Sequence, residues 1–262
     1  MNTTSRPLAA LTAYLDRYLR TAEIPDDPSA LNGLQVENAG QVVRIVAAVD
    51  ASQQTIDRAV QASGPALILV HHGLFWEGHR PLTDRRYRRV ASLIRHDAAL
   101  YSSHLPLDHH PEVGNNALLA RQLGLAAVEP FGSYKGVTIG VAGEPPQAHR
   151  SREALCDALA RLLGIPVTAL RLIPGGPEQL GRVGIITGAG GSMIAQAVSA
   201  GCDTFITGEG AAHTYFDATE WGVNLIYAGH YATETLGVRA LAEHLAGRFD
   251  LPWEFHDHPT GL

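Results

Sequence analysis

Short runs of apolar, often β-branched residues recur along the chain, separated by stretches in which apolar positions repeat every three or four residues. That alternation marks an α/β protein with a largely parallel or mixed sheet. It predicts strands over Val43–Val49, Ala66–Val70, Ala98–Ser102, Val137–Val141, Gly184–Thr187, Thr204–Thr207 and Asn224–Ala228. Helical spacing predicts helices over Ser52–Ala62, Arg85–Arg95, Asn115–Leu123, Arg152–Leu163, Ser192–Ala200 and Thr233–Arg248. An earlier amphipathic helix over Pro7–Arg20 carries Leu8, Leu11, Leu15 and Leu19 and is opened by Ser5 and Pro7. Two stretches break the rhythm, Val128–Gly136 and the turn cluster Pro174–Pro177. The pattern therefore predicts a first lobe ending near Leu125 and a second, smaller one beginning there.

Composition narrows the class. A chain of 262 residues with 45% hydrophobic and 18% charged positions builds a globular core without disulfides. Its two cysteines, Cys156 and Cys202, are far apart and form no C-x-x-C, so neither a disulfide framework nor a cysteine zinc site is expected. The formal charge of −6 opposes broad binding to nucleic acid or anionic membrane. No apolar run nears the roughly 18 residues of a membrane helix, and the amphipathic N-terminal helix is not a signal peptide. A cytoplasmic protein is expected. The unusual number is 13 histidines.

Several of these sit where an α/β sheet binds ligands, outside the carboxyl ends of its strands. Three predicted strands run directly into histidine: Val70 into His71-His72-Gly73, Ser102 into Ser103-His104-Leu105-Pro106-Leu107-Asp108, and Ala228 into Gly229-His230-Tyr231-Ala232-Thr233-Glu234. Four imidazoles and two carboxylates arriving at one edge match the ligand preferences of Zn, Fe, Mn or Co. Six donors exceed what one tetrahedral ion needs and suit two divalent ions about 3.5–4 Å apart. His230 and Glu234 share a helix face if the helix begins by Tyr231. Pro106 between His104 and Asp108 calls for a loop there. His71 and His72 point to opposite faces of a regular strand, so reaching one site calls for a bend at Gly73.

These motifs, with Leu74-Phe75-Trp76, Gly114-Asn115-Asn116, Asn32-Gly33-Leu34-Gln35-Val36 and Thr207-Gly208-Glu209, resemble the NIF-three-like family. Its members often bear the label "GTP cyclohydrolase 1 type 2 homolog". The resemblance spans nearly the whole chain. It implies a dinuclear metal centre with ligands His71, His72, His104, Asp108, His230 and Glu234. It also implies a homo-oligomer in the form of a toroidal hexamer with the metal sites facing its cavity. In that picture residues 1–125 and 222–262 form one metal-binding α/β lobe, and residues 126–221 form a second α/β lobe inserted into it.

Other features are weighed beside this centre. Glu209 and His213 follow a predicted strand and are candidates for orienting a ligand; a simple turn and helix start is the plainer reading. Gly188-Ala189-Gly190-Gly191-Ser192 lacks the third glycine of a dinucleotide fingerprint, which favours a tight turn capped by Ser192. The cluster Arg80, Arg85, Arg86, Arg88 and Arg89 reads either as a solvated helix face or as a rim attracting an anionic small-molecule substrate. His109, His110, His256 and His258 have no assigned role. Two functional readings follow. One is a metal-dependent hydrolase acting on a nucleotide or phosphate ester through a metal-activated water. The other is a non-catalytic metal-binding or regulatory scaffold whose ions are saturated by protein ligands. Nucleic-acid binding through the ring cavity is disfavoured by the net charge.

Overall fold

The structure, a computed structural model, describes residues 4–262. Contacts divide it into two units: the chain up to Leu107 together with Gly237–His258, and Asp108–Leu236 together with Pro259–Leu262. Both are α/β, as the alternating pattern predicts, with the second interrupting the first.

In the first unit five strands lie in the order Trp253–Phe255, Arg44–Asp50, Ala66–His72, Ala98–Ser102 and Gly33–Val36. The first four are mutually parallel and the last is antiparallel to its neighbour. Parallel strands are covered on both faces, which is why Ala66–Val70 is an unbroken buried apolar run. Val46, Ile68, Val70 and Leu100 pack with Ile56, Ala59 and Leu93 from the helices Gln53–Ala59 and Asp84–Arg95. Parallel pairing also sets Asp50 opposite His72 at the same sheet edge.

In the second unit six strands lie in the order Ala126–Tyr134, Val137–Glu144, Val183–Ile186, Thr204–Thr207, Asn224–Tyr227 and Arg171–Pro174. Only the consecutive strands Val183–Ile186, Thr204–Thr207 and Asn224–Tyr227 are parallel. Leu155 and Leu159 of the helix Arg152–Leu163 pack on Val183, Ile185, Ile206 and Ile226. The final helix, His230–Phe249, begins in this unit and ends in the first.

Several details differ from the expectations. Leu105–Asp108 is one turn of helix rather than a loop; Pro106 is tolerated because a first-turn residue has no intrahelical N–H bond to lose. The Pro- and Gly-containing stretch after Leu125 is not a break but an edge strand, Ala126–Tyr134, hairpinned to Val137–Glu144 through Lys135 and Gly136, both at positive φ. Pro130 fits because an edge strand has one row of backbone groups without ladder partners. Ser192 caps nothing: it lies inside a 3-10 turn, Gly190–Met193, ahead of the helix Ile194–Ser199. The first helix runs Leu8–Tyr18 with Pro7 as its cap residue, and it buries Leu8, Leu11 and Leu15 as the spacing predicts. Among the described residues, no helix is long and apolar enough to cross a membrane.

Trp253–Phe255 adds a parallel strand beside Arg44–Asp50. The backbone N–H of His256 donates to the Ala47 carbonyl at 2.8 Å, and its ring is 2% exposed. Burial holds the His256 imidazole below its ordinary pKa, although Glu254 opposes this. The unfolded chain therefore takes up a proton first as pH falls through about 6.5, and the fold loses stability there. Denaturant unfolding followed from pH 7.5 to 5 should show a smaller loss in His256→Phe than in the parent protein.

Candidate metal centre

In the first unit, His71, His72 and His104 offer ligand atoms that all lie within 4.8 Å of one another. The ring centroids are 4.8 Å apart for His71 and His72, and 4.9 Å apart for His71 and His104. No bend is needed to achieve this, because the strand continues through His72. Nor does Gly73 adopt a left-handed backbone. Its missing Cβ makes room for the Gln35 amide, whose Oε1 accepts the Leu74 N–H at 2.8 Å.

Each ring is held from behind at Nδ1. His71 Nδ1 bonds the Ser103 carbonyl at 2.9 Å, and His72 Nδ1 bonds Asp50 Oδ1 at 3.0 Å. His104 Nδ1 bonds the Asp26 carboxylate, with oxygens at 2.9 and 3.1 Å. A carbonyl or an ionised carboxylate only accepts, so Nδ1 carries the hydrogen and Nε2 presents its lone pair. Asp26 is a hub whose side chain is 5% exposed. It also accepts from the Leu105 N–H at 2.9 Å and from Asn32 Nδ2 at 2.8 Å. Burial alone would raise its pKa; bonding to His104, the charge of that ring, Asn32 and the Leu105 N–H outweigh it and hold the carboxyl below its ordinary value. Trp76 stands edge-on to His104 at 4.8 Å and to His72 at 5.7 Å, walling the cluster.

The second unit builds a matching arrangement. His230 opens its helix, so Glu234 is one turn on, with Oε1 at 3.2 Å from His230 Nε2. Glu209 Oε1 takes the outer nitrogen, Nδ1, at 2.7 Å. Burial lowers the His230 pKa, but hydrogen bonds and charges from Glu234 and Glu209 outweigh it and push the pKa up to about 9. Two glycine loops back this pair. The Gly188 carbonyl accepts the N–H groups of Gly208 and Glu209, and the Gly188 N–H donates to Thr233 Oγ1. These backbone groups are consumed internally, unlike those of a phosphate-cradling loop. Gly188 has φ +67°, and a Cβ there would occupy the space of the Glu234 carboxylate. Asp108 also belongs to this unit; it is 8% exposed and accepts from Asn115 Nδ2 at 2.8 Å.

The structure thus gathers His71, His72 and His104 in one unit and His230, Glu234 and Glu209 in the other, while His213 is exposed at the start of the Thr214–Glu220 helix. Asp26 and Asp50 are the residues the sequence reading missed. Asp50 ends a strand beside His72, where the rule that located the histidines applies equally; Asp26 lies in a Pro-Asp-Asp-Pro turn with no such signal. Asn32, Gln35, Asn115 and Asn116 of the motifs act as staples. Asn32 Oδ1 holds the His104 N–H at 2.7 Å, and Asn116 Oδ1 holds the Thr187 N–H at 2.8 Å.

A two-unit α/β protein with histidine and carboxylate donors at the ends of parallel strands, each imidazole fixed from behind, defines a class of candidate metal-binding proteins. A family model, Duf34/NIF3 (NGG1p interacting factor 3), matches residues 8–260, and the chain belongs to that family. It is similar to the GTP cyclohydrolase 1 type 2 homolog of Deinococcus radiodurans, with 46% identity over 253 residues covering 96% of this chain and 93% of that protein. Among solved structures it resembles TTHA1606 from Thermus thermophilus, with a TM-score of 0.86 and 40% identity, covering 98% of this chain and 100% of that one. It also resembles the protein ybgI, described as of unknown function, with a TM-score of 0.87, 37% identity and the same coverage. The resemblance carried by the histidine motifs is confirmed.

Two substitutions test the scaffold of the site. Asp26→Ala strands two buried donors and the His104 ring, and should cost about 3–5 kcal/mol of unfolding free energy. Gly188→Ala should cost at least ~1–2 kcal/mol from its left-handed backbone alone, with Glu234 displaced. Denaturant unfolding measures both, and the NMR shifts of His230 report the displacement.

Proposed function

We propose that the protein is a dinuclear metal-dependent hydrolase acting on a nucleotide or phosphate ester, with His71, His72, His104, Asp108, His230 and Glu234 as the ligands. The observation that carries this reading is the uniform treatment of the rings: all four imidazoles have Nδ1 bonded to an acceptor, which leaves Nε2 as the second ring nitrogen; on His230 that nitrogen faces the Glu234 carboxylate at 3.2 Å and would give up its proton to a metal. Metal-ligating histidines characteristically have such an outer partner, which fixes the tautomer and raises ligand basicity. The donor set suits Zn, Fe, Mn or Co and contains no thiolate. When bound, such ions supply an activated water and neutralise charge developing on the substrate.

The chain's own residues perform the positioning. Asp50, Asp26, Glu209 and the Ser103 carbonyl keep the rings oriented, and the Glu234 and Asp108 carboxylates offset cationic charge. Trp76 excludes water from one side of the histidines. The same reading gives the toroidal hexamer that the family resemblance implies. Light scattering of the purified protein should then yield six chains per particle.

Elemental analysis of the native protein should find two divalent transition-metal ions per chain, and His104→Ala should hold one or none. Metal-loaded protein is then assayed on GTP, phosphodiesters and phosphate monoesters. Turnover of any of these well above the His104→Ala background supports the hydrolase. Full metal loading with no turnover above that background favours the non-catalytic scaffold.

A further inference from the structure

The arginine cluster after the first histidine motif has a counterpart of opposite sign elsewhere in the chain. Residues 80–95 hold Arg80, Arg85, Arg86, Arg88, Arg89 and Arg95 against the single carboxylate Asp84. Between Arg182 and Arg239 there is no lysine or arginine, while Glu209, Asp217 and Glu220 fall in the middle of that stretch. One helix in each unit therefore stands in a field of fixed sign. It is basic for Asp84–Arg95 in the first unit and acidic for Thr214–Glu220 in the second.

Each of these helices also turns large apolar side chains to solvent. On Asp84–Arg95, Leu93 enters the core of the sheet, but Tyr87 is exposed and Ile94 is 64% exposed. Tyr87 and Ile94 lie two turns apart on one side of the helix, with Ala91 between them and Arg88 and Arg95 next to them. Arg95 donates to Tyr87 Oη at 3.3 Å, which holds its charge at the rim of this strip. On Thr214–Glu220, Thr214 and Ala218 are buried, whereas Tyr215 is exposed and Phe216 is 61% exposed. The two rings stand edge to face at 5.4 Å, and the exposed Glu220 follows Phe216 by one turn.

A single exposed apolar residue is ordinary, but grouped aromatic and aliphatic side chains rimmed by charge mark an interaction surface. The signs decide the occupant. If either face met itself in a second copy, arginine would oppose arginine or carboxylate would oppose carboxylate, and like charges across an interface are disfavoured. The basic face of one copy against the acidic face of the next satisfies both. A contact between unlike surfaces repeats from copy to copy, and it forms a ring where the rotation closes.

We propose that the Tyr87–Ile94 face of one chain docks head to tail on the Tyr215–Phe216 face of a second copy, with Glu220 answering Arg88 and Arg95. The inference deepens the toroidal assembly proposed above and rests on it for ring closure; the contact itself needs no metal or substrate. Thr214, which opens the docking helix, bonds the Ala211 carbonyl at 2.6 Å, just past Glu209. Assembly through this helix therefore bears on the segment that orients His230.

Light scattering of the full-length parent is compared with Ile94→Glu, which meets the next copy's carboxylates, and Phe216→Lys, which meets its arginines. Both side chains are exposed, so each variant should keep the parent's far-ultraviolet circular dichroism. Each should give a particle at least about twofold smaller than the parent's. Ile94→Lys and Phe216→Glu preserve the sign of each face and should dissociate less. Mixed in equal amounts, Ile94→Glu and Phe216→Lys should form a particle larger than either alone, because each supplies the face the other lacks. Either variant at the parent's mass overturns the proposal and leaves the hexamer standing. A loss of mass that mixing does not repair overturns the head-to-tail contact. A parent with some number of chains other than six, still dissociated by these substitutions, upholds the contact and defeats the hexamer instead; a monomeric parent defeats both.

Discussion

The hydrogen bond behind each histidine is the constraint on which the site depends. A free imidazole has two tautomers and a rotating ring. Here the partner of each Nδ1 comes from a different element: the Ser103 carbonyl past a neighbouring strand, Asp50 at the end of another, Asp26 in a turn 78 residues before His104, and Glu209 in the loop 21 residues before His230. Ring orientation is therefore a property of the tertiary fold. Parallel pairing brings the strand ends together, and the acceptors fix which nitrogen of each ring is left for a ligand.

The fold was legible where burial dictates sequence. Ala98–Ser102 and Thr204–Thr207 have the bounds their apolar runs predict, because strands buried on both faces leave no polar position to blur them. Legibility failed where punctuation residues perform an unusual task. Pro106 looks like a helix breaker but stands in a first turn, and the Pro130 stretch looks like a loop but is an edge strand. At the site, the ring-bearing residues were readable because strand ends are a place to look. The carboxylates behind them were not, since an aspartate in a turn most often caps a neighbouring N–H. Asp26 does that too, accepting from Leu105, while holding His104.

The glycine-rich run after Val183–Ile186 shows how composition misleads without packing. Its spacing invites comparison with a nucleotide-binding loop, yet its role is steric. A Cβ on Gly191 would meet the Gly210 backbone, and one on Gly208 would meet the Gly188 carbonyl and His230 Cα. Two loops at adjacent strand ends interlock through bare backbone, leaving just enough space for the His230 and Glu234 side chains.

The outermost strand of the six-stranded sheet bears on the protein's colloidal behaviour. Ala126–Tyr134 is nine residues long and mostly exposed, and such an edge invites a second sheet to zip onto it. Pro130 removes a donor midway along the strand, and the register shift between Ala126 and Glu129, with Ala127 at positive φ, twists its start out of line. The residues that disguised this strand as a loop also keep it from templating aggregates.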